Sequence, residues 1–145
     1  GRGRGAGGGA RAIAWGLKHE AARVTIANRT FERGKALAEE LGVDFVRWEN
    51  LADARPQVVV NGTSVGMAPD TEASPVAASL FRRDMVVMDT VYTPRETRFL
   101  KDARATGATT IDGVEMFLRQ ANHQFKIWKG RPIPTELLKE FRKTL

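Results

Sequence analysis

The sequence has 145 residues, 42% of them hydrophobic and 28% charged, a balance that is ordinary for one globular domain. It has no cysteine, which excludes disulfides and thiolate metal sites, and its two histidines cannot build a zinc site alone. No apolar run approaches the roughly 18 residues that span a bilayer, no signal peptide is recognisable, and we expect a cytoplasmic protein with no membrane partner. The net charge of +6 favours an anionic partner, and a phosphate-bearing small molecule suits these scattered charges better than nucleic acid.

Helical and β-branched segments alternate along the chain. Composition predicts a helix at 10–19 and a strand at 23–27, and Thr30 is a candidate N-cap for a helix that Gly42 ends. Apolar runs predict further strands at 45–46, 57–60, 85–88 and 109–111. Further helices are predicted at 96–105, 112–128 and 135–143, with Asp112 and Glu115 as a capping box. The alternation predicts an α/β fold, a Rossmann-like doubly wound, mostly parallel sheet with helices on both faces, as one domain over 1–145.

A glycine-rich segment opens the chain and contains Gly5-Ala6-Gly7-Gly8-Gly9-Ala10, a G-x-G-x-x-A spacing. In dinucleotide-binding folds such a loop follows a strand, starts a helix and lets backbone N–H groups approach a pyrophosphate. The residues before Gly5 form no apolar run, so the first strand is degenerate or missing. A disordered tail is the other interpretation, but the helix predicted directly afterwards favours a cofactor loop.

The next signal is Asn28-Arg29-Thr30-Phe31-Glu32-Arg33, which follows a predicted strand. Asn28 lies 21 residues after Gly7, near the position where NAD-binding proteins place an acid that holds the ribose hydroxyls. Here the neighbours are Arg29 and Arg33, and an arginine attracts the 2′-phosphate that a carboxylate would repel. The segment predicts selection of NADP, unless both arginines are ordinary solvent-facing residues.

Two further predicted strands end in polar loops at the height of the expected ligand crevice. Asn61–Met67 follows the first, and its hydroxyls can donate to ribose or phosphate oxygens, although a plain turn fits equally well. Asp89–Pro94 follows the second, and Tyr92 either offers its hydroxyl to a ligand or packs.

The helix that follows Asp112 has two distinct edges. One edge is an apolar stripe that consists of Val114, Phe117, Leu118, Ala121, Phe125 and Trp128. Gly113, Met116 and Gln120 lie along the other edge, where Gln120 either faces the crevice as a neutral donor and acceptor or is simply solvated.

Taken together, five segments resemble the C-terminal domain of the shikimate/quinate dehydrogenases. They are GAGGGARA, ANRTFER, NGTSVGM, DTVYTP and DGVEMFLRQA, in this order, and they cover residues 5 to about 130. The resemblance implies NADPH-dependent reduction of 3-dehydroshikimate to shikimate, in aromatic amino-acid biosynthesis. Members that use NAD tend to have an acid near the position of Arg29, so the chain looks like the NADP-dependent type.

The resemblance also implies a role for each segment, with NADP as the cofactor and no metal. The pyrophosphate would lie on Gly5, Ala6, Gly7, Gly8 and Gly9, and the adenosine ribose with its 2′-phosphate on Asn28, Arg29, Thr30 and Arg33. The nicotinamide half would be lined by Thr63, Ser64, Val65, Gly66, Thr90, Gly113 and Met116, and the substrate would be reached by Tyr92 and Gln120.

The family's catalytic Lys and Asp belong to an N-terminal domain that should precede residue 1, and no Lys–Asp pair here can take that role. We therefore expect this chain to be the cofactor domain of a dehydrogenase without that N-terminal domain, either as a fragment or as part of a longer protein, and we expect it alone to bind NADP weakly and to catalyse nothing. The expected partners are shikimate or 3-dehydroshikimate and the N-terminal domain, in a monomer or homodimer. The alternatives are a non-catalytic NADP-binding module and a quinate/shikimate paralogue. Domains like those of glutamyl-tRNA reductase or methylene-tetrahydrofolate dehydrogenase are disfavoured by the DG-x-x-M-x-x-x-QA segment.

Overall fold

The computed structural model describes residues 6–20 and 22–145, and the chain divides into two compact units, Gly1–Gln57 and Val58–Leu145. Gly5 and the predicted degenerate first strand lie outside the described residues. None of the helices within these ranges has the length and apolarity that crossing a bilayer requires.

The first unit alternates helix and strand. Its elements are α1 (Ala6–His19), β1 (Thr25–Asn28), α2 (Phe31–Leu41), β2 (Asp44–Arg47) and a 3-10 helix (Trp48–Ala54). The two strands are parallel, so that Thr25 pairs with Asp44 at one end and Asn28 pairs with Arg47 at the other. The predicted helix at 10–19 begins four residues earlier than expected, at Ala6, so that its first turn contains three glycines. The 3-10 helix was not predicted.

Close packing of α2 in the first unit depends on Gly34. A Cβ at this position would lie 2.7 Å from Asn28 Cβ and 2.7 Å from Phe45 Cε2, so only glycine lets the helix approach this closely. Gly42 ends α2 as predicted, with a φ of 62°, and its N–H bonds to the carbonyls of Ala38 and Glu39.

The second unit contains a three-stranded parallel sheet with β4 in the centre. Its elements are β3 (Val58–Asn61), a 3-10 helix (Ala78–Leu80), β4 (Val86–Asp89), α3 (Arg98–Ala105), β5 (Thr109–Ile111), α4 (Gly113–Lys129) and α5 (Thr135–Thr144). The strand order is β3-β4-β5, and Asn61 pairs with Asp89 at the carboxyl ends of β3 and β4. Parallel strands flanked by helices confirm the predicted fold class.

The core of the second unit forms where α3 packs on β4. It consists of Phe81, Met85, Val87, Phe99, Leu100, Ala103 and Ala108. The rings of Phe81 and Phe99 meet edge to face, with their centroids 5.4 Å apart. Phe99 and Leu100 are fully buried, and each contributes about 1.5–3 kcal/mol relative to an exposed side chain. This core holds α3 against β4.

The predicted capping box at α4 is half correct. Asp112 caps the helix, since its Oδ1 accepts from the N–H of Glu115 at 2.8 Å. The Glu115 carboxylate pairs with the guanidinium groups of Arg119 and Arg142, rather than accepting from the N–H of Asp112 as a capping box requires. Charge-assisted bonds to arginine are stronger than a bond to a neutral amide, which accounts for the difference.

Candidate functional site

The glycine-rich segment forms the start of a helix. Of the predicted pyrophosphate contacts, Ala6, Gly7, Gly8 and Gly9 belong to the first turn of α1. The first four N–H groups of a helix have no intrahelical partner, and the helix dipole adds partial positive charge at the same end. This backbone can therefore bind an anion, as the G-x-G-x-x-A spacing predicts.

The segment after β1 turns sharply at Asn28. The Oδ1 of Asn28 accepts from the N–H of Thr30 at 2.8 Å, which closes a short side-chain turn. Thr30 is the N-cap residue of α2 by position, but its own side chain makes no capping bond, so that part of the prediction is wrong. The Asn28 side chain binds the N–H of Thr30, and the Thr30 side chain is exposed.

Two arginines at the carboxyl edge of the first sheet lie against aromatic rings. The Cζ of Arg29 is 5.5 Å from the centroid of the Trp48 ring, and the Cζ of Arg47 is 4.3 Å from that of Phe31. Phe31 in turn meets Phe45 edge to face at 5.2 Å. Such contacts orient a guanidinium group without neutralising its charge.

Arg33, like Arg29 and Arg47, is exposed. Within residues 6–20 and 22–145, no carboxylate lies within 4.0 Å of any of these three arginines. Near the carboxyl ends of β1 and β2, the first unit thus has three exposed arginines without a carboxylate partner among the described residues, Arg29, Arg33 and Arg47, which we call the arginine cluster. The sequence predicted a role for the first two but not for Arg47, which the strand register brings to the same edge, or for Trp48, which follows it.

A buried hydrogen-bond network joins the two polar loops of the second unit. Asp89, fully buried at the end of β4, accepts from Asn61 Nδ2 at 3.0 Å and from the N–H of Val91 at 2.9 Å through Oδ1. Its Oδ2 accepts from the hydroxyl of Thr97 at 2.6 Å. Burial raises the pKa of Asp89 above its ordinary value, although the bonds from Thr97, Val91 and Asn61 act in the opposite direction.

The loop after β3 takes its shape from Asn61. Its Oδ1 accepts from the N–H and the hydroxyl of Thr63, at 3.1 Å and 2.7 Å, and Thr63 Oγ1 accepts from the N–H of Val65 at 3.2 Å. Gly66 ends the loop with a φ of 90°, a conformation that favours glycine. The hydroxyl proton of Thr63 is therefore used inside the loop, and exposed Ser64 is the better candidate donor to a ligand.

Gly113, the first residue of α4, lies against the loop that follows β4. A Cβ on Gly113 would come within 2.5 Å of the Val91 carbonyl oxygen and 2.9 Å of that of Thr90. The structure thus brings together Thr90 and Gly113, two of the residues predicted to line the nicotinamide half. Close packing against these carbonyl groups therefore requires glycine at position 113, whether or not a ligand is bound.

The two predicted substrate residues lie around the ring of Phe117. Tyr92 is 53% exposed, with its ring centroid 6.2 Å from that of Phe117. Phe117 and Gln120 line a groove of about 480 Å³ that continues along the apolar stripe of α4. Met116 lines a different groove, together with Met88 and Ile111, so the two residues of this helix edge face separate surroundings.

Comparison with known proteins decides the family. The family model described as shikimate/quinate 5-dehydrogenase matches residues 4–112 of this chain. The chain belongs to this family. It is 48% identical to the shikimate dehydrogenase (NADP(+)) of Syntrophobacter fumaroxidans over 134 residues, which are 90% of the chain and 47% of that protein. It spans about half the length of such curated relatives.

Solved structures of family members have the same fold. The shikimate 5-dehydrogenase of Thermus thermophilus, in complex with NADP(H) and shikimate, matches 97% of the chain and 53% of its own length, with a TM-score of 0.86 and 38% identity. The quinate dehydrogenase of Corynebacterium glutamicum, in complex with NAD, covers the same shares with a TM-score of 0.85 and 31% identity. The fold is therefore Rossmann-like, and backbone similarity does not distinguish an NADP-binding relative from an NAD-binding one.

Proposed function

We propose that this chain is the NADP-binding domain of a shikimate dehydrogenase, which reduces 3-dehydroshikimate to shikimate with NADPH in aromatic amino-acid biosynthesis in the cytoplasm. The observation that carries the proposal is the pair Arg29 and Arg33, which are exposed and uncompensated directly after Asn28, in a chain of this family. The names of the relatives, several of which specify NADP(+), support it.

The proposal assigns the parts of a dinucleotide with a 2′-phosphate to particular residues. The first turn of α1 would hold the pyrophosphate, and Arg29 and Arg33 would hold the 2′-phosphate through charge-assisted bonds. Thr63, Ser64, Val65, Gly66, Thr90, Gly113 and Met116 remain the predicted lining of the nicotinamide half. Bound NADPH would supply the hydride for the reduction, and the residues of this chain would bind and orient it.

The substrate would meet neutral donors on this chain. Shikimate is a hydroxylated acid, and the Tyr92 hydroxyl and the Gln120 amide can each donate a hydrogen bond to its oxygens. The proton donor to the reduced carbonyl would be the Lys of the N-terminal domain. The relatives are about twice as long as this chain, which is consistent with such a domain.

An apolar face of the second unit supports the proposal of an N-terminal partner domain. Val114 and Leu118 of the α4 stripe are buried, but the stripe continues into exposed residues, and Trp128 is 75% exposed. The other large apolar residues exposed on α4 and α5 are Phe117, Ile127, Leu137 and Phe141. Phe117, Phe125 and Trp128 line one groove, and an exposed apolar groove of this kind usually marks an interface, which the N-terminal domain would cover.

Substitution of Arg29 by alanine tests the cofactor assignment. We expect NADP affinity to fall by roughly 1–3 kcal/mol, about fivefold to a few hundredfold, while NAD affinity changes much less because NAD lacks the phosphate. Added salt should weaken NADP more than NAD, since the extra interaction is ionic. Calorimetric titration of both cofactors at two salt concentrations measures this. Arg23→Ala is the matched control, because Arg23 pairs with Asp44 at the opposite end of the same strands. Equal losses for NAD and NADP would contradict the assignment.

Substitution of Gln120 by alanine tests the substrate assignment in the complete enzyme. We expect a higher shikimate KM or a lower kcat, from the loss of one or two neutral hydrogen bonds of roughly 0.5–1.5 kcal/mol each. The KM for NADP should stay nearly constant and serves as the internal control. Unaltered shikimate kinetics would show that Gln120 is only a solvated helix residue.

A further inference from the structure

The third arginine of the cluster, Arg47, is positioned by the strand register. It is the last residue of β2 and pairs with Asn28, the last residue of β1. Neighbouring strands lie about 4.8 Å apart, so Arg47 begins within one strand spacing of the segment proposed to bind the adenosine ribose. Strand geometry, rather than sequence proximity, brings it there.

The charge of Arg47 is oriented but not neutralised. Its guanidinium group lies over Phe31, and Phe31 is held in turn by Phe45. Nearby Lys35 also approaches the Phe31 ring, but its ammonium is 3.8 Å from the Glu39 carboxylate, which weakens its attraction for an added anion. At the opposite end of the strands, Arg23 is paired with Asp44 at 2.9 Å. Arg47 is thus a preoriented cation without an acidic partner among the described residues.

We infer that Arg47 is a specificity-determining residue that binds the 2′-phosphate of the adenosine moiety together with Arg29. The inference rests on the proposed NADP cofactor. A phosphate offers three acceptor oxygens, and two guanidinium groups on adjacent strand ends can bind them from different directions. The contact with Phe31 limits the rotamer entropy that Arg47 loses on binding, because the side chain is already positioned. Arg47 therefore favours NADP over NAD.

The experiment compares five forms of the full 145-residue chain: wild type, Arg29→Ala, Arg47→Ala, Arg47→Lys and the control Arg23→Ala. Each is titrated calorimetrically with NADP and NAD, and with the minimal probes 2′-AMP and 5′-AMP. We expect Arg47→Ala to weaken NADP and 2′-AMP by about three- to thirtyfold, and NAD and 5′-AMP by less than about twofold. Arg23→Ala should change the affinity for each of these four ligands by less than about twofold. Arg47→Lys keeps the charge but loses the planar fork, and should give an intermediate loss.

The outcomes separate this inference from the proposed function. A wild type that does not prefer NADP over NAD overturns the proposed cofactor. A wild type that prefers NADP and loses the preference with Arg29→Ala, but responds to Arg47→Ala as it does to Arg23→Ala, overturns only the role of Arg47. Equal losses of NADP and NAD with Arg47→Ala would assign Arg47 to the shared part of the cofactor and overturn the phosphate contact. Melting temperatures of all variants identify any that fail to fold, and Arg47→Lys then carries the test.

Discussion

Substitution of Gly113 by alanine is expected to destabilise the second unit by about 2–4 kcal/mol. The usual cost of overpacking a core is about 1–3 kcal/mol, so this loss is near or above the upper end of that range. The added Cβ would meet the carbonyl oxygen of Val91 at 2.5 Å and its carbonyl carbon at 2.7 Å. Both are backbone atoms, so the clash is relieved only if α4 or the loop after β4 shifts. Since the same substitution usually stabilises a helix slightly, steric contact and helix propensity predict opposite signs.

Gly16 provides the matched control for this prediction. It also lies in a helix, but a Cβ added there has no atom within 4 Å, so Gly16→Ala should stabilise the chain by about 0.5–1 kcal/mol. Urea unfolding followed by circular dichroism measures both variants. A Gly113→Ala chain as stable as the wild type would show that α4 does not approach Val91 this closely.

Local patterns predicted the fold well, since strands and helices here follow from short-range chemistry. The β-branched run at Val58–Val60, the cap at Asp112 and the left-handed Gly42 each depend on neighbours within a few residues. The 3-10 helix at Trp48–Ala54 was missed because it has no comparable periodic signal.

Features that depend on contacts across the fold could not be predicted from local patterns. The resemblance identified the family correctly, yet Arg47 was missed because only the strand register brings it beside Asn28. Asp89 was missed for the same reason, since its partner Asn61 lies on another strand. The Glu115 side chain departed from its expected capping bond because Arg119 and Arg142 bind its carboxylate, and Arg142 lies 27 residues away in the sequence. The ligand contacts assigned from the motifs stay predictions.

Removal of the Asp89 carboxylate is expected to have the largest effect on stability. Asp89→Ala would leave the Asn61 amide, the Val91 N–H and the Thr97 hydroxyl without their shared acceptor in the interior. Each unsatisfied buried group costs about 1–3 kcal/mol, and partial relaxation brings the expected total to about 3–5 kcal/mol. Because the network holds the loops after β3 and β4, NADP binding should weaken as well.

Asp89→Asn is the matched variant. Its stability should be only about 0–2 kcal/mol below that of the wild type, a far smaller loss than that of Asp89→Ala. Its side-chain oxygen can accept from Asn61 and Val91 as before, and its amide can donate to Thr97 Oγ1, which already accepts from the N–H of Leu100. Only the Thr97 hydroxyl proton loses its acceptor, which accounts for the remaining cost. The substitution also removes a buried charge. Urea unfolding of the alanine and asparagine variants at neutral pH compares the two losses. Equal losses would mean that the charge, rather than the hydrogen-bond pattern, holds the loops.

The pH dependence of stability distinguishes wild type from Asp89→Asn. Burial raises the pKa of Asp89, and no cation pairs with it among the described residues, so the folded chain holds this proton more tightly than the unfolded chain does. Wild-type stability should therefore decrease, relative to the asparagine variant, as pH rises from the ordinary aspartate pKa to the raised one, and then stay constant. Unfolding free energies of both proteins measured between about pH 3 and pH 8 give this difference directly. A wild type that gains stability relative to the variant over that range would mean that the bonds from Thr97, Val91 and Asn61 outweigh desolvation, and that the folded pKa is lowered instead.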